Sequence, residues 1–377
     1  MQLNRYILLF IFTIINSFFI VKYGSRQHYL SEYILGVAYS IGVLLTIFFF
    51  TKQKIKENYS RILFFGLTVL VLTSTVLINK LVDANSLNVD RCSAMSVGVE
   101  ALLNGQYPYS AIDHLGGRTS NLPTLLFIGI PFYLLGDVGY LQTFGFGLMA
   151  CLIFYFFNNY PQRLLALLLL ISSPAYWWEI YAKSDLMSNF IILLAFIFVA
   201  QKYIFANKET KIIPIAVASS ALVLTRLTSI IPLSLLLCAW FFGQSIKQKS
   251  IFIFSGIITL FVLLYLCFMH VPNLDYLQKY NPFELQNRQM PTALNIAFVL
   301  LPFIYSFYIK NTTQLQIAST YFLLLPILIS FVMSVFKNGI YPCIVESYFD
   351  ISYFNMVLPF IIVNLAQSYE TAFNQTQ

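Results

Sequence analysis

Residues 62–80 read ILFFGLTVLVLTSTVLINK, with no charged side chain before Lys80. As a helix this run matches the roughly 20 residues that cross a hydrocarbon core. It lacks the two-residue alternation of a lipid-facing strand, so a transmembrane helix is predicted and a barrel is excluded. The loop before it, Thr51 to Arg61, holds Lys52, Lys54, Lys56 and Arg61. Basic loops stay on the cytoplasmic side, which orients the run.

Similar runs recur near 5–23, 30–50, 140–157, 163–180, 186–206, 251–269 and 315–336, with shorter ones at 292–309 and 353–367. The stretch 211–243 divides into two helices around Arg226. With 59% hydrophobic and only 10% charged residues, these segments cannot all be buried in one water-soluble core. The expectation is an all-α bundle of about twelve spans in one transmembrane domain with no soluble domain. It comprises three spans in 1–80, an outer loop with interfacial helices in 81–139, and the remaining spans in 140–377. The first run lacks a small-residue cleavage site and a second follows at once, so it reads as a span. Pro123 to Gly136 is too short to cross and reads as interfacial or re-entrant.

Alternation from the basic loop also places Arg5, Arg163, Lys202, Lys208, Lys211, Lys247, Lys249 and Lys310 inside, together with both termini. Glu57, Glu209 and Glu370 are the only acids there. Twelve of the 22 basic and three of the 15 acidic residues then lie inside. The net charge of +7 and the pI near 9.0 thus reflect anchoring beside anionic lipid and not nucleic-acid binding.

Cys92, Cys151, Cys238, Cys267 and Cys343 show no metal or redox spacing, although Cys92 and Cys343 share the outer side and could pair. His28, His114 and His270 form no paired ligand motif, and no phosphate-cradling glycine loop is present. No metal and no cofactor is expected. The acids collect in outer loops: 81–122, the turn at Asp185, 270–291 and 337–352. Asp90 to Asn104 reads as an amphipathic interfacial helix, with Cys92, Met95, Val99, Leu102 and Leu103 on one face and Asp90, Ser93, Ser96, Glu100 and Asn104 on the other. Gly105 ends it, and Tyr107-Pro108-Tyr109 follows as a stiff turn. Asp90 at its start is either a functional acid or a helix cap.

These pieces carry a resemblance. Asp90-Arg91 followed by the amphipathic helix, GQYPY at 105–109, Pro123 and LLG at 134–136 looks like the first outer loop of the GT-C glycosyltransferases. The nearest likeness is to mannosyltransferase-like members that use polyprenyl-phosphate sugars. SSP at 172–174 with KSDL at 183–186 resembles the second outer loop of that family. Ala218 to Pro232, containing LTRLT, and SYFNMVLPF at 352–360 resemble two later segments. The chain departs from the pattern in having two extra spans before the loop, Asn121-Leu122-Pro123 in place of a doubled proline, and no second acid beside Asp90.

The resemblance implies a plasma-membrane enzyme of bacterial type that moves a sugar, with inversion, from a polyprenyl-phosphate donor to a lipid or glycan acceptor at the outer face. It implies Asp90 as the base and Asp185 as a second catalytic acid. The leaving phosphate needs a cation, for which Arg91, Arg118, Lys183 and Arg226 are candidates. Arg226 leads because it interrupts a long apolar stretch, where a charge needs a partner or a wet cavity; the alternative is a side chain snorkelling from a helix end. His114 either relays a proton or is a solvated loop side chain. Trp177-Trp178 and the loop tyrosines belong to an aromatic belt, some of them free to stack on sugar rings. Two other readings stand beside this one. One is a polymerase of lipid-linked oligosaccharides, the other a transporter or flippase, which an internal repeat of broken helices would favour.

Overall fold

The structure is a computed structural model that describes residues 2–52, 56–205, 211–287 and 291–369. Lys54, Lys208, Glu209 and Glu370 of the charge split lie outside these residues. Among the described residues the chain is all-α, with one isolated bridge between Ile112 and Arg118 and no strand.

The chain opens with three long helices, α1 (Gln2–Gly24), α2 (Glu32–Lys52) and α3 (Glu57–Leu81). Two shorter ones follow, α4 (Arg91–Leu103) and α5 (Pro123–Leu134), before α6 (Tyr140–Phe156). The run expected as one span over 163–180 is two helices, α7 (Tyr160–Ile171) and α8 (Pro174–Tyr181), bent by 60°. Ser172-Ser173-Pro174 causes the bend: Pro174 cannot donate to the preceding turn, and the Ser173 hydroxyl caps the new helix by accepting from Tyr176 N–H at 3.2 Å. Then come α9 (Leu186–Ile204), α10 (Ile212–Val223), α11 (Ile230–Phe242) and α12 (Ile246–Phe268). Helix α12 begins earlier than its apolar run because Ser245 and Gln248 form a capping box. The short α13 (Leu274–Lys279) and α14 (Pro282–Asn287) lead to α15 (Thr292–Tyr305) and α16 (Thr312–Asn338), and α17 (Ile340–Ile344) to α18 (Leu358–Gln367).

Helices α1, α2, α3, α9, α12 and α16 are long and apolar enough to cross a membrane, and the bent α7–α8 pair qualifies if taken as one span. The protein is therefore an integral membrane protein. Helices α2, α3 and α12 present rows of exposed Leu, Ile and Phe, among them Phe48, Leu70 and Phe261, a surface that suits lipid and not water. Helix α18 is the opposite case. Only ten residues long, it is buried on every side, and an all-round apolar helix belongs in the middle of a bundle. Its Asn364 donates to Gln316 O and Thr320 Oγ1 at 3.0 and 2.7 Å, which fixes it against α16.

The two ends of the bundle differ in chemistry. At one end Arg5 lies over Tyr369, Arg61 and Arg163 over Tyr160, and Lys249 over Phe242, while Glu57 accepts from Tyr160 N–H at 2.9 Å. The other end holds most of the described acids, among them Asp137 and Asp350 with their partners Lys183 and Arg91. Both ends of α5 belong to this second end: Thr124 N–H donates to Leu224 O at 3.0 Å, and Asp137, just past the helix, pairs with Lys183.

Helix α4 follows its expected faces only in part. Met95 and Val99 pack where Gly129 of α5 leaves room, and Gly98 meets Leu126 in the same way. Ser93, expected on the wet face, is buried and Leu103, expected on the apolar face, is exposed, because α4 lies on α5 and the 107–119 loop and does not simply float in the interface. Its C-terminus is a Schellman turn: Gly105 takes φ +66°, Gln106 N–H donates to Ala101 O at 2.8 Å and Gly105 N–H to Leu102 O at 3.2 Å.

Candidate functional site

The site is organised by two breaks in helix. The first is between α8 and α9, where Lys183 adopts φ +51° and Asp185 stands at the N-cap position of α9 without capping it. The second separates α10 from α11. There Leu224 to Arg226 are unwound and a single 3₁₀ turn, Leu227–Ser229, starts the chain back. The basic residue that split the apolar stretch thus ends one helix and precedes the next.

The two breaks meet through an ion pair. Arg226 donates to Asp185 Oδ2 from Nε at 3.2 Å and from Nη2 at 2.6 Å, and its Nη2 also donates to Asn121 Oδ1 at 3.1 Å. Arg226 and Asp185 are 4% and 2% exposed, so this is a buried pair and not a snorkelling arginine. Asp185 Oδ1 has no hydrogen-bond partner among the described residues, and neither does Arg226 Nη1.

Arg226 also lines a cleft of about 160 Å³. Ser120, Thr228, Gln286, Asn295 and Ser330 are its other polar lining residues, and Ile231, Phe298 and Ile327 of α11, α15 and α16 are among the apolar ones. Gln286 braces the unwound chain by accepting from Leu227 N–H at 2.8 Å and donating to Ser120 O at 2.6 Å. A second and almost wholly apolar groove, between α10, α11, α12 and α15, adjoins the cleft at Ile230, which lines both.

The remaining sequence candidates are placed as follows. Asp90 stands at the N-cap position of α4, half-buried, and its carboxylate neither caps the helix nor makes a hydrogen bond among the described residues. Arg91 pairs with Asp350, also meets Ser352 Oγ at 3.4 Å, and sits over the ring of Tyr353, a residue that lines the cleft. Burial works against the Arg91 charge, but Asp350, Tyr353, Asp185 and Asp90 together outweigh it and hold the guanidinium protonated. Burial likewise opposes the Asp350 carboxylate, yet Arg91, Ser352 and Lys22 keep its pKa below the ordinary 3.8.

Lys183 is buried and committed to Asp137, and Arg118 donates to Lys279 O at 2.8 Å beneath Tyr280. His114 donates from Nε2 to Leu87 O at 2.9 Å and meets Ser93 Oγ through Nδ1 at 2.5 Å. None of these three lines the cleft, and neither do Asp90, Arg91 and Asp185, so of the sequence candidates Arg226 alone lines it. Their side chains are drawn away by partners on other loops. Trp177 donates its indole N–H to Ile171 O at 2.7 Å and Trp178 donates to Tyr23 Oη, so both rings serve packing. All five cysteines are free. Cys343 lies 3.2 Å from Ser334 Oγ, and Cys92 faces Asp137.

Three residues that sequence reasoning passed over belong to this region: Asn121, Glu179 and Asn355. Glu179 is 1% exposed and accepts from Ser184 Oγ, Met187 N–H and Asn355 Nδ2 at 3.1, 3.2 and 2.7 Å. Its signal was the one that exposed Arg226, a lone charge in an apolar segment. No group of acids, histidines and cysteines that could hold a metal occurs among the described residues. No protein-family model, curated protein or solved structure matches the chain.

Proposed function

We propose that the protein is a membrane glycosyltransferase of GT-C type, moving a sugar from a polyprenyl-phosphate donor to a lipid or glycan acceptor at the extracytoplasmic face. The observation that carries this reading is Arg226: a buried cation on unwound backbone that lines a cleft in which polar groups stand beside apolar side chains of α11, α15 and α16. Non-helical backbone within a membrane is tolerated where it lines a cavity, and a cleft that holds a cation beside apolar side chains suits a phosphate that carries a hydrocarbon chain. The apolar groove adjoining it at Ile230 extends that apolar lining.

In this reading the twelve crossings are α1, α2, α3, α6, the α7–α8 pair, α9, α10, α11, α12, α15, α16 and α18, with the basic end and both termini cytoplasmic. Helices α7 and α10, of 12 residues each, rise only about 18 Å against a core of about 30 Å. Their breaks therefore fall inside the membrane, towards the acid-rich end, which puts Arg226 at the depth of a lipid phosphate that has entered from the outer leaflet.

The chemistry requires a base and a phosphate clamp. Asp90, with a carboxylate free of hydrogen bonds among the described residues, takes the proton from the acceptor hydroxyl as its oxygen attacks the anomeric carbon. The bond to the lipid phosphate breaks on the opposite side of that carbon, which inverts it, and the free Nη1 of Arg226 receives the growing phosphate charge. Asp185 fixes the guanidinium plane, and Arg91, held by Asp350, adds positive potential nearby. The test is incubation of purified protein with radiolabelled polyprenyl-phosphate sugars and membrane lipids. The reading expects transfer that Asp90→Asn lowers about 10²–10⁴-fold; transfer unchanged by that substitution removes Asp90 from the reaction, and no transfer with any donor rejects the reading.

A further inference from the structure

Helix α9 starts in an unusual way. The residue at an N-cap normally turns its side chain back to accept from the backbone N–H two or three positions on. Asp185 has that position and the right chemistry but spends its Oδ2 on Arg226, while Oδ1 is left without a partner. The N–H groups it leaves open are taken by others. Met187 N–H, the second in the helix, donates to Glu179 Oε2 at 3.2 Å, and Leu186 N–H to Ser184 Oγ at 3.4 Å. Ser184 Oγ itself donates to Glu179 Oε1 at 3.1 Å, so both substitute caps rest on one carboxylate supplied by α8.

We infer that Glu179 is the positioning residue that frees Asp185 to hold Arg226, by capping α9 in its place. The inference rests on reading Asp185 and Arg226 as the working pair of the site. The alternative arrangement is close at hand. If Glu179 could not accept from Met187, the Asp185 carboxylate at the N-cap position could take its place, and by rotating into the ordinary cap geometry it would leave the guanidinium. A buried N–H without an acceptor is costly enough to drive that exchange. The same Oε1 also receives Asn355 Nδ2 at 2.7 Å, so Glu179 further ties the start of α9 to the 351–356 turn, whose Tyr353 and Met356 line the cleft. Glu179 does not line the cleft and is not a catalytic residue.

The test is a thermal-unfolding cycle on the purified full-length chain in detergent, so it needs no transfer assay. The melting-temperature coupling between Asp185→Asn and Arg226→Gln is measured in the native background and again with Glu179→Gln. A glutamine has one acceptor oxygen, and with two side-chain donors, Ser184 Oγ and Asn355 Nδ2, on the Oε1 edge it turns that oxygen to them and its amide N–H to Met187, which loses the cap. The inference expects clear coupling in the native background that falls by at least half with Glu179→Gln, while Asn355→Ala, which cuts the tie to the turn but leaves the cap, keeps it. If Glu179→Gln does not fold, Ser184→Ala removes one of the two substitute caps, and the coupling is expected to weaken. Coupling unchanged by Glu179→Gln or, failing that, by Ser184→Ala, with only a lower melting temperature, makes Glu179 a packing residue and overturns the inference. No coupling in the native background overturns it together with the working pair. Absence of sugar transfer leaves this result standing and rejects only the proposed function.

Discussion

Helices α4 and α9 begin alike and are used differently. Each has an aspartate at its N-cap, Asp90 and Asp185, with nearly the same backbone angles, φ −83° and ψ −7° against φ −89° and ψ −9°. Neither side chain caps its helix. At α9 the acid is buried and bound to an arginine 41 positions away, and a glutamate performs the capping. At α4 the acid is half-buried with no hydrogen bond among the described residues, and it is the neighbouring Arg91 that is tied down, to Asp350. A carboxylate locked to a guanidinium is a poor proton acceptor and a good clamp, whereas a free one is the reverse. That contrast is the reason the proposed function gives the base to Asp90 and the holding role to Asp185.

The largest effect that would break this contrast lies at α9. Arg226→Met leaves Asp185 buried without a partner, which is expected to cost about 3–5 kcal/mol. Adding Asp185→Asn should restore much of the stability, as read from melting in detergent, while transfer stays absent. At α4 the opposite pattern is expected. Asp90→Asn should lower transfer about 10²–10⁴-fold yet change stability by less than about 0.5 kcal/mol, so a strongly destabilised Asp90→Asn protein would show a structural role that the geometry does not.

A smaller effect probes the ground between the two starts. A Cβ on Gly139 would stand 1.9 Å from Asn79 Oδ1 and 2.7 Å from Lys183 Cδ. Gly139→Ala should therefore push Lys183 off Asp137 and cost about 1–3 kcal/mol. A melting temperature equal to that of the native protein would show that the 183–185 turn is looser than described.

The smallest effect is at Asp350, whose side chain is 37% exposed. Asp350→Asn should cost only about 1 kcal/mol after allowance for solvent screening. Its pH dependence carries a sign. The folded pKa is below 3.8, so the carboxylate contributes stability above the unfolded value and loses it as pH falls through the folded one. The melting difference between native and Asp350→Asn proteins should hold from neutral pH down to about 4 and close below it. A difference that closes near pH 6 would mean that Arg91 is not its partner.

The membrane class and the all-α fold were legible because burial in lipid writes itself into composition as long apolar runs. Arg226 was legible for the same reason, since a charge cannot sit in an apolar stretch without a cause. Glu179 sent the same signal from between Trp178 and Ile180 and was passed over because its run read as a single span. The Ser172-Ser173-Pro174 break was visible, but its 60° consequence was not. Pairs such as Lys183 with Asp137, or Arg91 with Asp350, join residues 46 and 259 positions apart, and no local pattern encodes them. That is why Lys183 and Arg118 stood behind Arg226 among the candidate cations although only Arg226 of the three lines the cleft.

The account needs the acid-rich end, with both helix starts, to face away from the cytoplasm. In a background without native cysteines, single cysteines are placed at Gln106 and Asp275 at that end and at Lys247 at the other, all exposed positions. Intact cells are then treated with a membrane-impermeant maleimide. The account predicts labelling at Gln106 and Asp275, with Lys247 reacting only after lysis. Labelling of Lys247 in intact cells, or of only one of the other two, would contradict it.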